Sequence, residues 1–254
     1  MDIAFIGSSH TINGINDRLI EKNLEMAGQN VANFGYCRLG RNLSYVLLKE
    51  ILTEKTPQYL VLEVREGENK RSHPIFPYLA GTIDVFLAHP FFNRDLLSDY
   101  WTHLAYKVDR TQRLFYDRKT KTPLREMDFG FATSGDTATL AQLNDAKERR
   151  SKPGKELSVL KQQYQMSYPR KYLSKVACLC EKHGMEIIFL YLPAYGTSLK
   201  KPKEYETYLE HGKVLIPPTE IFEDPSNWFD ESHFNQNGAD HFSLWLSAEL
   251  KGML

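Results

Sequence analysis

Three short apolar runs near the N-terminus, each separated from the next by an amphipathic segment, constrain this chain more than any other feature. MDIAFIG (1–7) is a buried-strand pattern that ends at a glycine. INDRLIEKNLEMAG (15–28) has helical periodicity, with Gly28 as its stop. QNVANFG (29–35) is a second short strand, closed by Gly35. RNLSYVLLKEIL (41–52) is a helix with Leu43, Val46, Leu47, Leu48 and Ile51 along one side and Pro57 shortly beyond it. Leu60 to Val64, within QYLVLEV, is a third buried strand. Strand, helix, strand, helix, strand implies a parallel sheet with helices on both faces.

The rhythm lapses from about Arg65 to about Lys155. FLAHPFFNRDLLSDYWTHLAY (86–106) is aromatic and helical in character, and DRKTKTPLREMDFGFATSGDT (117–137) reads as loop. KERRSKPGK (147–155) reads as a solvated linker. The alternation resumes with a helix in YPRKYLSKVACLCEKHG (168–184), stopped at Gly184. A core strand follows in MEIIFLYLPAYG (185–196), then a short last strand in GKVLIPP (212–218). NGADHFSLWLSAEL (237–250) is the closing helix, capped by Asn237. The expected fold is therefore a three-layer, flavodoxin-like α/β domain with a mainly parallel sheet. It covers residues 1–254 and carries a largely helical insertion or cap at about 70–165.

Bulk properties narrow the function classes. Lys+Arg and Asp+Glu both number 32, so the basic surplus of a nucleic-acid binder is missing. No apolar run approaches the roughly 20 residues that span a bilayer, and the first residues lack a secretory pattern. A soluble, cytoplasmic protein is expected. Cys37, Cys178 and Cys180 have neither disulfide, zinc nor redox spacing and read as buried free thiols. His73, His89, His103, His183, His211 and His241 show no metal-ligand spacing, and no phosphate or dinucleotide glycine loop occurs. No cofactor or metal is expected.

In open α/β sheets, ligands bind beyond the carboxyl ends of the strands. The first strand delivers Gly7-Ser8-Ser9-His10 there, the second delivers Gly35, and the third delivers Arg65-Glu66-Gly67-Glu68-Asn69. Asp230 and His233 precede the last helix. A serine on a strand-to-helix turn is exposed but weakly nucleophilic until a base takes its proton. His233 is the candidate base and Asp230 its orienting partner, the roles of a Ser–His–Asp triad. His10 is expected to turn away from Ser9, and Arg38 and Arg41 to be solvated helix charges.

These residues carry a resemblance. IGSSHT, NFG and DESH are similar to the blocks of the SGNH (GDSL-like) hydrolase superfamily, and the GSS and FDESHFNQNGA variants are similar to its bacterial branch of acyl-transfer proteins that modify cell-envelope polymers. The likeness covers roughly residues 1–70 and 170–254. It implies Ser9, Asp230 and His233 as catalytic residues and Gly35 as an oxyanion N–H donor. Ser8 stands where many members have Asp. The family's Gly-x-Asn block is replaced by VREGEN, in which either Asn69 or Arg65 fills the third oxyanion position. The implied activity is serine-dependent hydrolysis of a carboxylic ester, such as carbohydrate O-deacetylation. An O-acyltransferase with the same triad and an inactive carbohydrate-binding module are the alternatives. The expected partner is a small-molecule or carbohydrate ester, with no nucleic acid and no membrane-spanning segment.

Overall fold

The computed structural model describes residues 1–24, 28–88, 90, 93–116, 130–152 and 159–253. Its centre is a five-stranded sheet, all parallel, in the order β2-β1-β3-β4-β5. The strands are β1 (Ile3–Ile6), β2 (Val31–Asn33), β3 (Tyr59–Val64), β4 (Glu186–Tyr191) and β5 (Lys213–Leu215). This is the flavodoxin-like order, in which the direction of winding reverses next to β1. The crevice for a ligand thus lies at the carboxyl end of the first strand.

Side chains alternate across each strand, so every central strand feeds two cores. Ile3, Phe5, Tyr59, Val61, Ile188 and Leu190 pack on one face beneath α2 (Asp17–Leu24) and α11 (Gln236–Lys251). Ala4, Ile6, Leu60, Leu62, Ile187 and Phe189 pack on the other beneath α3 (Arg41–Glu54) and α8 (Val159–Lys182). The three layers expected from the alternation are present.

The middle of the chain divides between the two faces. The short helices α4 (Phe76–Leu79) and α5 (Thr82–Phe86) bury Phe76, Ala80 and Val85 against Val46 of α3 and Tyr168 and Tyr172 of α8. The long α6 (Leu96–Tyr116) packs on both of them. Residues 130–138 instead run along the opposite side. Ala132 N–H donates to Ile12 O, and Ala138 N–H to Trp228 O. Leu143 of α7 (Leu140–Ser151) enters the core beneath α11, and two short helices, α9 (Tyr205–Leu209) and α10 (Thr219–Glu223), precede and follow β5.

Several local readings need correction. The charge run at 147–155 is helical through Ser151, while Pro153, Gly154 and Lys155 lie outside the described residues, as do 117–129 of the expected loop. Helix α8 starts nine residues before the YPRK segment and continues through Pro169. The last helix is capped by Asn235, whose side chain accepts from Gly238 N–H, and Asn237 sits inside it. Cys37 and Cys178 are exposed, and Cys180 alone is buried. Among the described residues no helix is long and apolar enough to cross a membrane.

Arg41 is not a solvated charge. It is buried and chelates Glu68 through Nε, at 2.8 and 2.9 Å, and through a terminal nitrogen at 2.5 Å. Tyr208 O–H donates to the same carboxylate at 2.6 Å. With both side chains almost free of solvent (1 % and 4 % exposed), the pair needs this geometry to offset its desolvation. It ties α3 to the loop after β3.

Candidate active site

The turn after β1 is built around one buried carboxylate. Glu63, in the otherwise apolar strand β3, accepts from Ser8 N–H at 2.6 Å and Ser8 O–H at 2.6 Å. It also accepts from Thr11 N–H at 3.2 Å and Thr11 O–H at 2.6 Å. Ser8 in turn caps α1 (Ser9–Gly14) by accepting from His10 N–H at 3.2 Å. Gly7 has to be glycine here. A Cβ on it would stand 1.9 Å from Thr11 Oγ1 and 2.5 Å from Glu63 Oε2. Ser8 is thereby consumed as a structural group, and Ser9, the next residue, is half-exposed at the head of α1.

Ser9 meets His233 across nearly the whole sequence. His233 Nε2 lies 2.7 Å from Ser9 Oγ. His233 Nδ1 lies 2.8 Å from Asp230 Oδ2 and 3.0 Å from Oδ1. A carboxylate at Nδ1 favours the tautomer with its proton there, which leaves Nε2 as the acceptor for the Ser9 hydroxyl. Asp230 Oδ1 also accepts backbone N–H groups from Ser232 and His233, both at 2.7 Å. Burial alone raises the Asp230 carboxyl, but these hydrogen bonds and the imidazole outweigh it and hold the group below the usual aspartate range. Phe229 stacks on the His233 ring, with 15° between the planes. The three expected triad residues are therefore brought together.

Helix α7 supports the loop that carries His233. Arg150 donates to the carbonyls of Tyr195 (2.7 Å) and Glu231 (3.0 Å) and to Ser232 Oγ (3.3 Å). Arg149 pairs with the Glu231 carboxylate. Residues read as linker thus clamp the loop that carries Glu231, Ser232 and His233.

His10 does not turn away. Its buried ring lies 5.1 Å from that of His233, centre to centre. Burial, then the positive charge of Arg65, then His233 and Arg150, hold His10 well below the usual histidine range. It is neutral at neutral pH, so it does not oppose a positive charge forming on His233.

The expected oxyanion donors fare differently. Gly35 N–H donates to Asn33 Oδ1 at 2.9 Å and is committed there. Glycine is needed at 35 because a Cβ would come within 2.8 Å of Ile12 N and Cγ1, in α1. Asn69 donates from Nδ2 to Leu39 O at 2.6 Å and accepts from Arg71 N–H at 3.1 Å, so it braces two loops to one another. In this geometry both groups are engaged within the fold. Arg65 follows β3 directly and stands near enough to His10 to affect its protonation. Its Nε is buried without a hydrogen-bond partner, 3.5 Å from Glu66 Oε2. Ser9 N–H, at the first position of α1, has no acceptor among the described residues. Ser9 N–H and Arg65 Nε are thus N–H groups without a hydrogen-bond acceptor among the described residues.

Glu63, Thr11, His10 and Arg150 were not singled out as site residues from the sequence. The signal that could have found Glu63 is a lone carboxylate in a strand buried on both faces, which must be hydrogen-bonded to be tolerated.

No protein-family model matches the chain, and no curated protein matches it. Among solved structures, it is similar to a provisionally assigned acylhydrolase from Bacteroides fragilis, with 11% identity over 99% of this chain and 86% of that one, at a TM-score of 0.44. It is also similar to a GDSL-like lipase from Bacteroides thetaiotaomicron, with 9% identity over 99% and 88% of the two chains, at a TM-score of 0.42.

Proposed function

We propose that the protein is a serine esterase that hydrolyses a carboxylic ester through Ser9, His233 and Asp230. The observation that carries this reading is the relay from Ser9 Oγ to His233 Nε2 (2.7 Å) and from His233 Nδ1 to Asp230 Oδ2 (2.8 Å). Surface serines lack a base so placed, and the relay is the arrangement that makes a hydroxyl nucleophilic.

In the proposed reaction, Ser9 Oγ attacks the ester carbonyl carbon as its proton moves to His233 Nε2. Asp230 stabilises the imidazolium. The tetrahedral oxyanion is met by Ser9 N–H and the positive potential of Arg65. As the intermediate collapses, the carbon–oxygen bond to the alcohol breaks and His233 protonates the departing oxygen. His233 then takes a proton from water, whose oxygen attacks the acyl-Ser9 carbonyl; the bond between the acyl carbon and Ser9 Oγ breaks, and His233 returns the proton to Ser9 Oγ. The products are an alcohol and a carboxylic acid. One oxyanion donor contributes about 10²–10³ in rate, so Ser9 N–H with Arg65 is a sufficient hole for an activated ester. We further propose a carbohydrate O-acetyl ester as substrate, on the sequence resemblance.

The commitment of Gly35 N–H and Asn69 within the fold favours one second reading: a module that binds the ester without turning it over. A fluorophosphonate probe and a short-chain aryl ester separate the two. Catalysis is expected to give covalent labelling at Ser9 and not at Ser8. That labelling should be abolished in Ser9→Ala and strongly reduced in His233→Ala. A folded wild-type protein that is unlabelled and hydrolyses no aryl ester at neutral pH refutes the esterase and leaves the binding module.

A further inference from the structure

Helix α6 carries an apolar stripe on the side facing away from the body. Its inward side places Asp99 and His103 in the interior. Leu97, Trp101, Leu104 and Val108, on another side, are between 46 and 79 % exposed. Their spacing is four, three, four residues, so at 100° per residue they form a seam only about 60° wide. Tyr100, between Leu97 and Leu104 on the helix surface, touches Phe86 of α5 with ring centres 5.0 Å apart. Ile83 and Leu87, on either side of Phe86 in the chain and also exposed, lie at the α5 end of this surface. Seven large apolar side chains in one place present on the order of several hundred Å2, the scale at which a patch marks an interaction site. It also approaches the ~800 Å2 that each partner contributes to a standard interface.

We infer that this seam is the contact between two copies of the chain, with their α6 helices antiparallel about a twofold axis. Such an interface has to be complementary to itself. The four-three-four spacing reads the same in both directions. Reversing the helix about the midpoint of Trp101 and Leu104 places Leu97 of one copy against Val108 of the other, and Trp101 against Leu104. Each larger side chain meets a smaller one, as interdigitated packing requires. A parallel pair would set Trp101 against Trp101. A heptad-like seam of this width suits a helix partner. A helix lying on a bilayer has a broad apolar face bordered by Lys and Arg. This seam is bordered by Ser98, Ala105 and Gln112 on one side and by Tyr100, Lys107 and Thr111 on the other, with a single cation.

Sedimentation equilibrium from about 1 to 100 µM should show a monomer–dimer equilibrium for the wild type. Trp101→Glu should weaken it by about 30-fold or more, as loss of a central aromatic anchor does. Leu160→Glu, at an exposed site on α8, should leave it unchanged. Circular dichroism checks that each variant is folded. In a background where the exposed Cys37 and Cys178 are replaced by serine, a mixture of Leu97→Cys and Val108→Cys proteins should form a disulfide-linked dimer on mild oxidation. Neither protein alone should do so, because like positions are about 16 Å apart along an antiparallel pair. A wild type that stays monomeric to 100 µM overturns the inference. So does cross-linking of Leu97→Cys to itself, or a monomer that cosediments with phosphatidylglycerol vesicles in a Trp101-dependent way.

Discussion

Removing the Glu63 carboxylate should damage both stability and the nucleophile, and two substitutions separate the causes. In Glu63→Ala, Ser8 N–H and Thr11 N–H lose a buried acceptor, and the hydroxyls of both residues lose theirs. Thr11 N–H keeps Ser8 O as an acceptor at 3.0 Å, so of the backbone donors only Ser8 N–H is left unsatisfied, at a cost of about 1–3 kcal/mol, to which the two orphaned hydroxyls add. A total of about 3–5 kcal/mol is expected, a large part of the ~5–15 kcal/mol that holds a typical domain folded. Glu63→Gln keeps one oxygen, which can stand at the Oε2 position and serve three of the four donors. Its amide then faces Ser8 Oγ, which can rotate to accept. Only charge assistance is lost, about 1–2 kcal/mol. The turn that presents Ser9 should move in the alanine variant and stay in the glutamine variant. A displacement of about 1 Å costs on the order of 10²-fold in rate, so fluorophosphonate labelling of Ser9 should slow about 10²-fold in Glu63→Ala and less than 10-fold in Glu63→Gln. Urea denaturation gives the stabilities. If Glu63→Ala lies within 0.5 kcal/mol of wild type (roughly the spread of neutral surface changes), or if the two variants label equally fast, the carboxylate does not organise this turn.

Three further outcomes follow from the same geometry. Arg150→Ala should lower stability by about 1–3 kcal/mol and raise amide exchange across residues 229–233, and Arg150→Lys should not restore protection because it lacks the planar fork. Gly35→Ala should lower the melting temperature and slow Ser9 labelling together, since its Cβ forces Ile12 and α1 outward (about 1–3 kcal/mol for such overpacking); slower labelling at an unchanged melting temperature would restore Gly35 N–H as an oxyanion donor. Burial, with nearby Asp95, raises the Asp99 carboxyl to about 6 against the pull of Ser72, so the folded state holds this proton more tightly than the unfolded state does. Its effect on stability is therefore lost as pH rises from about 4 through about 6; Asp99→Asn should melt higher than wild type at pH 8, with the gap closing by pH 4, and an equal gap at both pH values refutes this.

Much of the frame was legible because parallel strands buried on both faces write themselves as apolar runs, as in residues 3–6, 60–62 and 187–191. The meeting of Ser9, His233 and Asp230 was legible because Asp230 and His233 share one loop and Ser9 sits two residues beyond Gly7. Residues whose meaning depends on a distant partner were not. Arg41 is charged and near a helix start, which looks like a surface position until Glu68 and Tyr208 close around it. Arg149 and Arg150 sit in a run of charges, and nothing local says that the carbonyls of Tyr195 and Glu231 await them. Gly35 has a packing role that its own segment does not reveal: its missing Cβ admits Ile12. The cap of α11 was misplaced by two because Asn235 and Asn237 are equally good caps by type, and only the backbone entering the helix distinguishes them.

The hydrogen bond between Ser9 and His233 joins positions 224 residues apart. Closing so long a loop carries a large entropic cost before any contact rewards it. During synthesis the Ser9 turn can be completed once β3 has supplied Glu63, a quarter of the way along the chain. The base arrives only with the final helix and its preceding loop. Under the proposed mechanism, a partly made chain therefore lacks the base for Ser9, and reactivity is expected to switch on in a single late event. Pulse labelling of Ser9 during refolding would time the docking of the C-terminal loop, because a hydroxyl becomes reactive at the moment its base comes within reach.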